Sequence, residues 1–192
     1  LFGSRDTERW LVQPVGIDVS ADEIIYVADP GAGCVHVLNP GEKEYSIISD
    51  AENGPLRSPV GVAVADDGGI FVSDSELGIL LYYDEDHDFR YAIKDRLKRP
   101  TGIKMIGGKL YVTDTGQNKI LVYDGEGNFI NEFGRRGNGP GEFNFPVHLS
   151  ANNTLCVVDA MNFRIQRFDL AGNYISAFGK VGNTAGSFSD SS

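Results

Sequence analysis

The chain has 192 residues, of which 41% are hydrophobic and 10% aromatic, a composition typical of a globular protein and not of a disordered one. The formal net charge of −10 argues against nucleic-acid binding, because phosphate recognition normally requires a basic surface. No apolar run approaches the roughly 18 residues of a membrane-spanning helix, so no membrane span is expected. Cys34 and Cys156 lie in different parts of the chain without a C-x-x-C pair, and they are expected to be separate thiols.

Four repeats with a common skeleton follow one another along the chain. Each opens on a proline-led apolar segment and reaches, 13 to 15 residues later, an aspartate that closes a second apolar run. The opening prolines are Pro14, Pro59, Pro100 and Pro146, and the closing aspartates are Asp29, Asp74, Asp114 and Asp159. A period of 41 to 46 residues with several short apolar runs predicts a β-propeller or a similar array.

Each repeat contains four short apolar runs, which predict strands a to d joined by polar turns. We therefore predict an all-β propeller of sixteen strands in four four-stranded antiparallel blades. The predicted blades 1 to 4 are residues 14–48, 59–93, 100–134 and 146–179.

Both ends of the chain look like parts of further repeats. Phe2-Gly3 matches the Phe-Gly that closes repeats three and four, so residues 1–13 are expected to be the tail of a preceding blade and a connector. Residues 180–192 are expected to be the connector to a missing blade, because the stretch from Gly179 matches the one from Gly134.

Repeats three and four carry a fuller motif than the first two. It comprises G-x-G-P-G-x-F at residues 137–143, N-x-R-I at 162–165 and a Phe-Asp…Gly-Asn turn at 168–173. These residues resemble NHL repeats, of which repeats one and two are degenerate copies. The resemblance implies a six-bladed β-propeller with four of its blades in this chain. NHL-like propellers include protein- and RNA-binding platforms, peptide-amidating lyases and lactonase-like neighbours, so the resemblance narrows function poorly.

Several polar residues are candidates for structure or binding. The four closing aspartates, which recur in every unit, are predicted to accept backbone N–H groups in the following turn and to be structural. The residue pairs Asn118 with Lys119 and Asn162 with Arg164 precede strand c and are candidate binding residues, with pairing to rim carboxylates as the alternative. Residues 84–88 (D-E-D-H-D) begin like a calcium loop, but the Gly and Glu required later in that pattern are missing, so a solvated turn is predicted.

His148 occupies the position that glycine holds in the other three repeats, near the start of strand a. Strand a is the innermost strand of a propeller blade, so His148 is expected near the central channel and is a candidate binding residue. Zinc needs three or four ligands, and no other strand a carries a histidine, so neither a metal site nor a cofactor is predicted. A hydrogen-bonded channel histidine is the default interpretation.

The leading functional hypothesis is a noncatalytic scaffold that binds a protein or peptide, or alternatively a carbohydrate, through rim loops. The loops concerned are residues 30–34, 75–78, 115–119 and 160–163, which vary on a repeated frame. No catalytic residues are predicted, since nucleophile elbows, P-loops and metalloprotease motifs are absent. The alternative is a metal-dependent lyase or hydrolase, amidating-lyase or lactonase-like, acting in the central channel with His148 and Asp18. The resemblance favours an extracellular or periplasmic location.

Overall fold

The computed structural model describes residues 11–179 and 188–190. Sixteen of its strands form four consecutive four-stranded antiparallel meanders, as the sequence predicts. The chain divides into two compact units, Leu1–Arg96 and Leu97–Ser192, each of which contains two of these blades. The described residues contain no helix with the length and apolarity needed to cross a membrane.

The strands of the first unit run in chain order from the inner to the outer edge of each blade. Blade 1 consists of β1 Gly16–Val19, β2 Ile25–Asp29, β3 Cys34–Asn39 and β4 Glu44–Ile48. A two-stranded hairpin, β5 Asp50–Ala51 and β6 Gly54–Pro55, follows it. Blade 2 consists of β7 Pro59–Val64, β8 Ile70–Asp74, β9 Ile79–Tyr83 and β10 Phe89–Ile93.

The second unit repeats this arrangement. Blade 3 consists of β11 Pro100–Ile106, β12 Lys109–Asp114, β13 Lys119–Asp124 and β14 Phe129–Phe133. Blade 4 consists of β15 Pro146–Ala151, β16 Leu155–Asp159, β17 Arg164–Phe168, β18 Tyr174–Phe178 and a fifth strand, β19 Phe188–Asp190. A single 3-10 turn, Ala160–Asn162, lies between β16 and β17.

The β5–β6 hairpin and β19 are absent from the sequence-based prediction. The hairpin strands have only two residues each, too few to show an alternating pattern. Strand β19 pairs antiparallel with β18, with Phe188 opposite Phe178 and Asp190 opposite Ser176. Part of the predicted terminal connector, residues 180–187, lies outside the described residues.

Each unit has its own hydrophobic core between its two blades. In unit 1 the buried cluster includes Tyr26, Leu81 and Tyr83, and in unit 2 it includes Phe143 and Phe168. Full burial of such side chains contributes about 1.5–3 kcal/mol each. The cores therefore hold neighbouring strand b and strand c faces of the two blades together.

The innermost strands approach each other so closely that glycine is required there. A Cβ atom on Gly102 of β11 would lie 2.8 Å from the Cα of His148 in β15. A Cβ on Gly16 of β1 would overlap the carbonyl oxygen of Val60 in β7. Glycine is therefore required at positions 16 and 102 because the backbones of neighbouring inner strands pack directly against each other there.

Replacing Gly102 with alanine is expected to lower the free energy of unfolding by about 1–3 kcal/mol, because the backbone of β15 must shift to admit a methyl group. Urea titration of the two proteins measures the difference. Gly125→Ala is the matched control, since the nearest atom to a Cβ at that position is the end of the flexible Met105 side chain, at 3.3 Å, and not backbone. Equal destabilisation by both substitutions would contradict the close-approach argument.

Candidate functional site: the rim between strands b and c

A buried carboxylate closes strand b in every blade. Asp29, Asp74, Asp114 and Asp159 are the last residues of β2, β8, β12 and β16, and all four are fully buried. Each accepts hydrogen bonds from the backbone of the connector that leads into its own blade. In blade 2, for example, Asp74 accepts from the N–H groups of Arg57 at 2.7 Å and Ser58 at 3.1 Å. These bonds span 15 to 17 residues of sequence.

The same carboxylates also accept hydrogen bonds from the loop that follows strand b. Asp74 accepts from the N–H groups of Glu76 at 3.1 Å and Leu77 at 3.0 Å. Asp29 accepts from Ala32, and Asp114 from Gln117. Each carboxylate therefore fixes the connector and the b–c loop of its blade to one point, which gives the rim a rigid backbone.

Burial and hydrogen bonding act on Asp29 in opposite directions. Burial alone would raise the pKa of the Asp29 carboxyl group. Hydrogen bonds from the N–H groups of Val12, Gln13 and Ala32 and from His36 outweigh this effect, and the pKa is lowered from its usual value. The group therefore remains a carboxylate at neutral pH.

Blade 4 replaces backbone donors in its loop with side chains. Asp159 accepts from Asn162 Nδ2 at 2.8 Å, Arg164 Nε at 2.9 Å and Gln166 Nε2 at 3.2 Å. The guanidinium of Arg164 also donates to the carbonyl oxygens of Asn138, Gly139 and Glu142 in the connector. Asn162 and Arg164 thus hold the 137–142 connector against the rim.

The structural register differs from the one suggested by the sequence motif. Asn162 corresponds to Gln117, since both lie three residues after the strand b aspartate and both donate a side-chain amide to it. Asn118 instead corresponds to Phe163, and its Oδ1 accepts from the N–H of Phe145. Lys119 forms an ion pair with Glu132 of β14. The binding role predicted for these residues stays a prediction.

The fourth residue after each strand b aspartate has a left-handed backbone. Its φ is 65° at Gly33, 71° at Gly78, 57° at Asn118 and 53° at Phe163. Glycine adopts this conformation freely and asparagine tolerates it, but other residues are strained by about 1–2 kcal/mol. Phenylalanine is therefore the unfavourable choice among the four, and its side chain is 64% exposed.

Met161, two residues before Phe163, is also exposed, at 57%. Its counterparts in the other loops are Gly31, Glu76 and Gly116. Met161 and Phe163 form what we call the apolar rim tip of blade 4. Comparison of the four b–c loops could have identified this tip, because the three sister loops carry glycine and polar residues at most positions. Motif matching does not reveal it.

The nearby exposed pair Ile165 and Phe178 has a different explanation. These residues lie opposite each other in β17 and β18, as Ile120 and Phe133 do in β13 and β14. In blade 3, Ile120 is fully buried, and the Phe133 ring lies 5.3 Å from that of Phe168 in blade 4. The exposed pair therefore has the character of a blade-packing face.

His36 is a buried polar residue that the sequence analysis did not single out. Its Nε2 lies 3.3 Å from Asp29 Oδ2 and 3.6 Å from Cys34 Sγ, and its Nδ1 lies 2.8 Å from the Tyr45 hydroxyl. Both ring nitrogens therefore have partners, and the histidine braces the strand b carboxylate of blade 1.

His148 is exposed on β15 and lies opposite Val158 of β16. The protein around the ring reduces its hydration and lowers the pKa of His148 from its usual value. Asp18, the other residue of the catalytic alternative, accepts a hydrogen bond from Val64 within unit 1. No group of three or more His, Cys, Asp or Glu side chains suited to a metal ion occurs among the described residues. The catalytic alternative stays a prediction.

Residues 84–88 form a turn between β9 and β10. Asp84 Oδ1 accepts from the N–H groups of Asp86 at 3.1 Å and Asp88 at 2.9 Å. Asp124 and Asp169 make the same pair of bonds in the corresponding turns of blades 3 and 4. The leading aspartate of the calcium-like pattern therefore has the structural role of a turn residue common to three blades.

Comparisons with known proteins agree with this architecture. A family described as a 6-bladed beta-propeller matches residues 94–179. No curated protein matches the chain. A catalytically inactive variant of virginiamycin B lyase from Staphylococcus aureus, solved with quinupristin, is similar over 92% of this chain and 59% of its own, with 16% identity and a TM-score of 0.70.

Two further solved structures are similar to the chain. Hydrazine synthase of Kuenenia stuttgartiensis is 18% identical, with a TM-score of 0.70 over 95% of this chain and 54% of its own. A nidogen/laminin complex is 19% identical, with a TM-score of 0.59 over 90% of this chain and 82% of the other. The chain thus spans little more than half the length of the lyase and the synthase.

The four antiparallel meanders and these matches together define the chain as an all-β propeller protein, which confirms the predicted fold class. Identities below 20% carry the fold alone. The similar structures come from a lyase, a synthase and a protein complex, so activity has to be argued from the residues of this chain.

Asp74→Asn is expected to lower the free energy of unfolding by about 2–4 kcal/mol, because an amide nitrogen then faces backbone N–H groups that lose their acceptor. Urea titration at neutral pH measures the change. Asp66→Asn, an exposed substitution in the same blade, is the control and is expected to change stability by less than about 0.5 kcal/mol. A loss for Asp74→Asn no larger than that of the control would show that the buried carboxylate is dispensable.

Stability is expected to fall in acid partly through Asp29. The pKa of the Asp29 carboxyl group is lower in the folded protein than in the unfolded protein, where it is near 3.8. Its contribution to stability is therefore fully present when the pH is above the unfolded pKa, and it is lost as the pH falls through the folded pKa. The difference in unfolding free energy between wild type and Asp29→Asn should therefore shrink as pH is lowered below about 4. Urea titrations across this range test it, and a difference that stays constant with pH would contradict it.

Proposed function

We propose that this chain is a noncatalytic propeller scaffold that binds a protein or peptide partner through its b–c rim loops, with Met161 and Phe163 as the main contacts. The observation that carries the proposal is the left-handed, exposed phenylalanine at a position where the sister loops have glycine or asparagine. Strain at a residue that no packing rewards is a mark of a functional position.

The rim tip has the chemistry of a protein-binding anchor. Its exposed apolar surface is unfavourable in water, and burying a side chain such as phenylalanine or methionine in a partner recovers about 1.5–3 kcal/mol. Aromatic residues and methionine are enriched in the cores of protein interfaces. The interaction is therefore expected to place the Phe163 ring in an apolar pocket of the partner.

The loop is held in one conformation before binding. Met161 N–H donates to the Asn144 carbonyl at 3.0 Å, and Phe163 N–H closes the 3-10 turn on the Ala160 carbonyl at 3.2 Å. Arg164 and Asn162 tie the adjoining connector to Asp159. A fixed loop loses little conformational entropy on association, which raises affinity for a given contact area.

A protein or peptide fits this tip better than a carbohydrate does. Sugar recognition needs polar groups directed at hydroxyls beside an aromatic ring, and the polar side chains nearest the tip, Asn162 and Arg164, donate inward to the protein. An extracellular or periplasmic location is part of the proposal and rests on the resemblance to NHL-type propellers.

Phe163→Gly is expected to weaken partner binding at least about tenfold while raising the free energy of unfolding by about 0.5–1 kcal/mol, because glycine relieves the left-handed strain. The partner is identified by photo-crosslinking from position 161 in the source extract, and its affinity is then measured with purified proteins. Urea titration gives the stability.

Phe163→Asn, which places the residue type of Asn118 at this position, should likewise weaken partner binding and raise the free energy of unfolding. Ile130→Ala removes a different side chain that is 43% exposed, on β14, and should leave binding unchanged. Undiminished affinity of Phe163→Gly for the crosslinked partner would overturn the proposal. A loss of stability in both Phe163 variants would instead remove the strain argument that supports it.

A further inference from the structure

A pocket of about 340 Å³ lies in unit 1 between the β5–β6 hairpin and the b–c loop of blade 2. The hairpin belongs to the connector between blades 1 and 2, and among the described connectors it is the one that forms a two-stranded sheet. Lys94, the residue that follows β10, also lines the pocket. Small-molecule sites in proteins measure about 300–1,000 Å³, so this pocket has the size of a site for a small ligand.

Asp74 fixes both walls of this pocket. Its carboxylate accepts a hydrogen bond from the backbone N–H of Arg57 at 2.7 Å on one side and from that of Leu77 at 3.0 Å on the other. The hairpin is closed by the N–H of Leu56, which donates to the Ser49 carbonyl at 2.8 Å. The Leu56 side chain is buried in the core of unit 1. The fold therefore sets the shape of the pocket before a ligand enters, which lowers the entropy cost of binding.

Part of the pocket lining is apolar. The residues concerned are Ala51, Pro55, Leu77 and Ile79. Ala51 and Ile79 also pack against the buried core of unit 1, so their positions are fixed. An apolar group that enters the pocket leaves water and contacts these side chains, which is favourable. The lining therefore suits an organic molecule better than an inorganic ion.

Two cationic side chains, Arg57 and Lys94, line the same pocket. Arg57 Nη1 lies 3.5 Å from Glu76 Oε1, and Lys94 forms an ion pair with Glu52. The side chains of Arg57 and Lys94 are 61% and 56% exposed, and ion pairs at such positions are weak. A carboxylate on a ligand can therefore take the place of either glutamate at little cost.

The charge of the lining favours a monoanion. Arg57 and Lys94 are positive and Glu52 is negative, so the lining carries a net charge of +1 in a chain whose formal net charge is −10. One carboxylate neutralises this excess, whereas a dianion such as phosphate would be repelled more strongly by Glu52. The guanidinium group of Arg57 is also suited to a carboxylate, which it can bind through two parallel N–H···O bonds.

We propose that this pocket binds a small organic acid, a monocarboxylate whose carboxylate pairs with Arg57 and Lys94 while its compact apolar body lies against Leu77 and Ile79. The apolar lining provides affinity, and the two cations select the acid over a neutral molecule of the same shape. The site lies in unit 1 and the rim tip in unit 2, and the two take different classes of ligand. The inference is therefore independent of the rim-binding function.

The probes are benzoate, phenylacetate and hexanoate, each titrated into the isotope-labelled full chain and followed by amide chemical shifts. At least one of the three acids is expected to give saturable shifts at residues 51–57 and 77–79. Benzyl alcohol, phenylethanol and hexanol keep the apolar bodies without the charge and are expected to bind at least about fivefold more weakly. Inorganic phosphate supplies charge without an apolar body and is expected to give no saturable shift at these residues.

Arg57→Gln is expected to weaken binding of the acid about fivefold or more, because the main partner of the carboxylate is lost. Arg90→Gln is the matched control, since this guanidinium of the same blade pairs with Asp84 outside the pocket, and it should leave binding unchanged. Glu76→Gln removes the carboxylate that competes for Arg57 and is expected to tighten binding about twofold. A merely structural effect of these substitutions would not give opposite signs.

Failure of all three acids to bind, equal affinity of the acids and the alcohols, or equal losses from Arg57→Gln and Arg90→Gln would each overturn the proposal. Phosphate that shifts the same amides with the affinity of the acids would show a simple anion site and would also overturn it. Phe163→Gly should leave acid binding unchanged, which separates this pocket from the rim tip.

Discussion

The structure depends on the buried carboxylate at the end of strand b. A carboxylate removed from water is unfavourable unless hydrogen bonds replace its hydration. Asp74 meets this requirement with four backbone N–H groups, two from the connector and two from the following loop. Since the donors come from segments on both sides of the blade, satisfying one side chain also fixes where the chain enters the blade and how the b–c loop is shaped.

This constraint explains why the rim can vary in chemistry without varying in shape. In blades 1 and 2 the carboxylate takes backbone donors from the loop, and in blade 3 it accepts from both the N–H and the side-chain amide of Gln117. In blade 4 the side chains of Asn162, Arg164 and Gln166 take over, and Arg164 additionally binds the connector carbonyls. The polar residues turn inward as a result, and Met161 and Phe163 are the ones displayed.

The same constraint leaves an apolar surface displayed on blade 4. The apolar rim tip of blade 4 suits a pocket on a folded partner, where shape and desolvation set affinity. A propeller fold shared with a lyase and with a nidogen/laminin complex is compatible with many activities, so these local differences between sister blades are the informative features.

The sequence by itself determined the all-β propeller fold with four-stranded antiparallel blades. This follows from local rules, namely the alternation of apolar residues in strands, the geometry of short turns and the repetition of both at a fixed period. Even the half-buried turn aspartates Asp84, Asp124 and Asp169 could be recognised by position. Sequence alone could not reveal that the strand b carboxylates bind a connector 15 to 17 residues upstream, because that contact depends on how the chain returns to the sheet.

Only the tertiary structure decided the functional surfaces. Asn162 and Arg164 looked available in the sequence, but packing of the connector directs their donors inward. Phe163 looked unremarkable until its left-handed backbone placed it in register with Gly33, Gly78 and Asn118. The physical reason is the same in both cases. Local periodicity specifies the elements, whereas the contacts between elements specify which side chains remain at the surface.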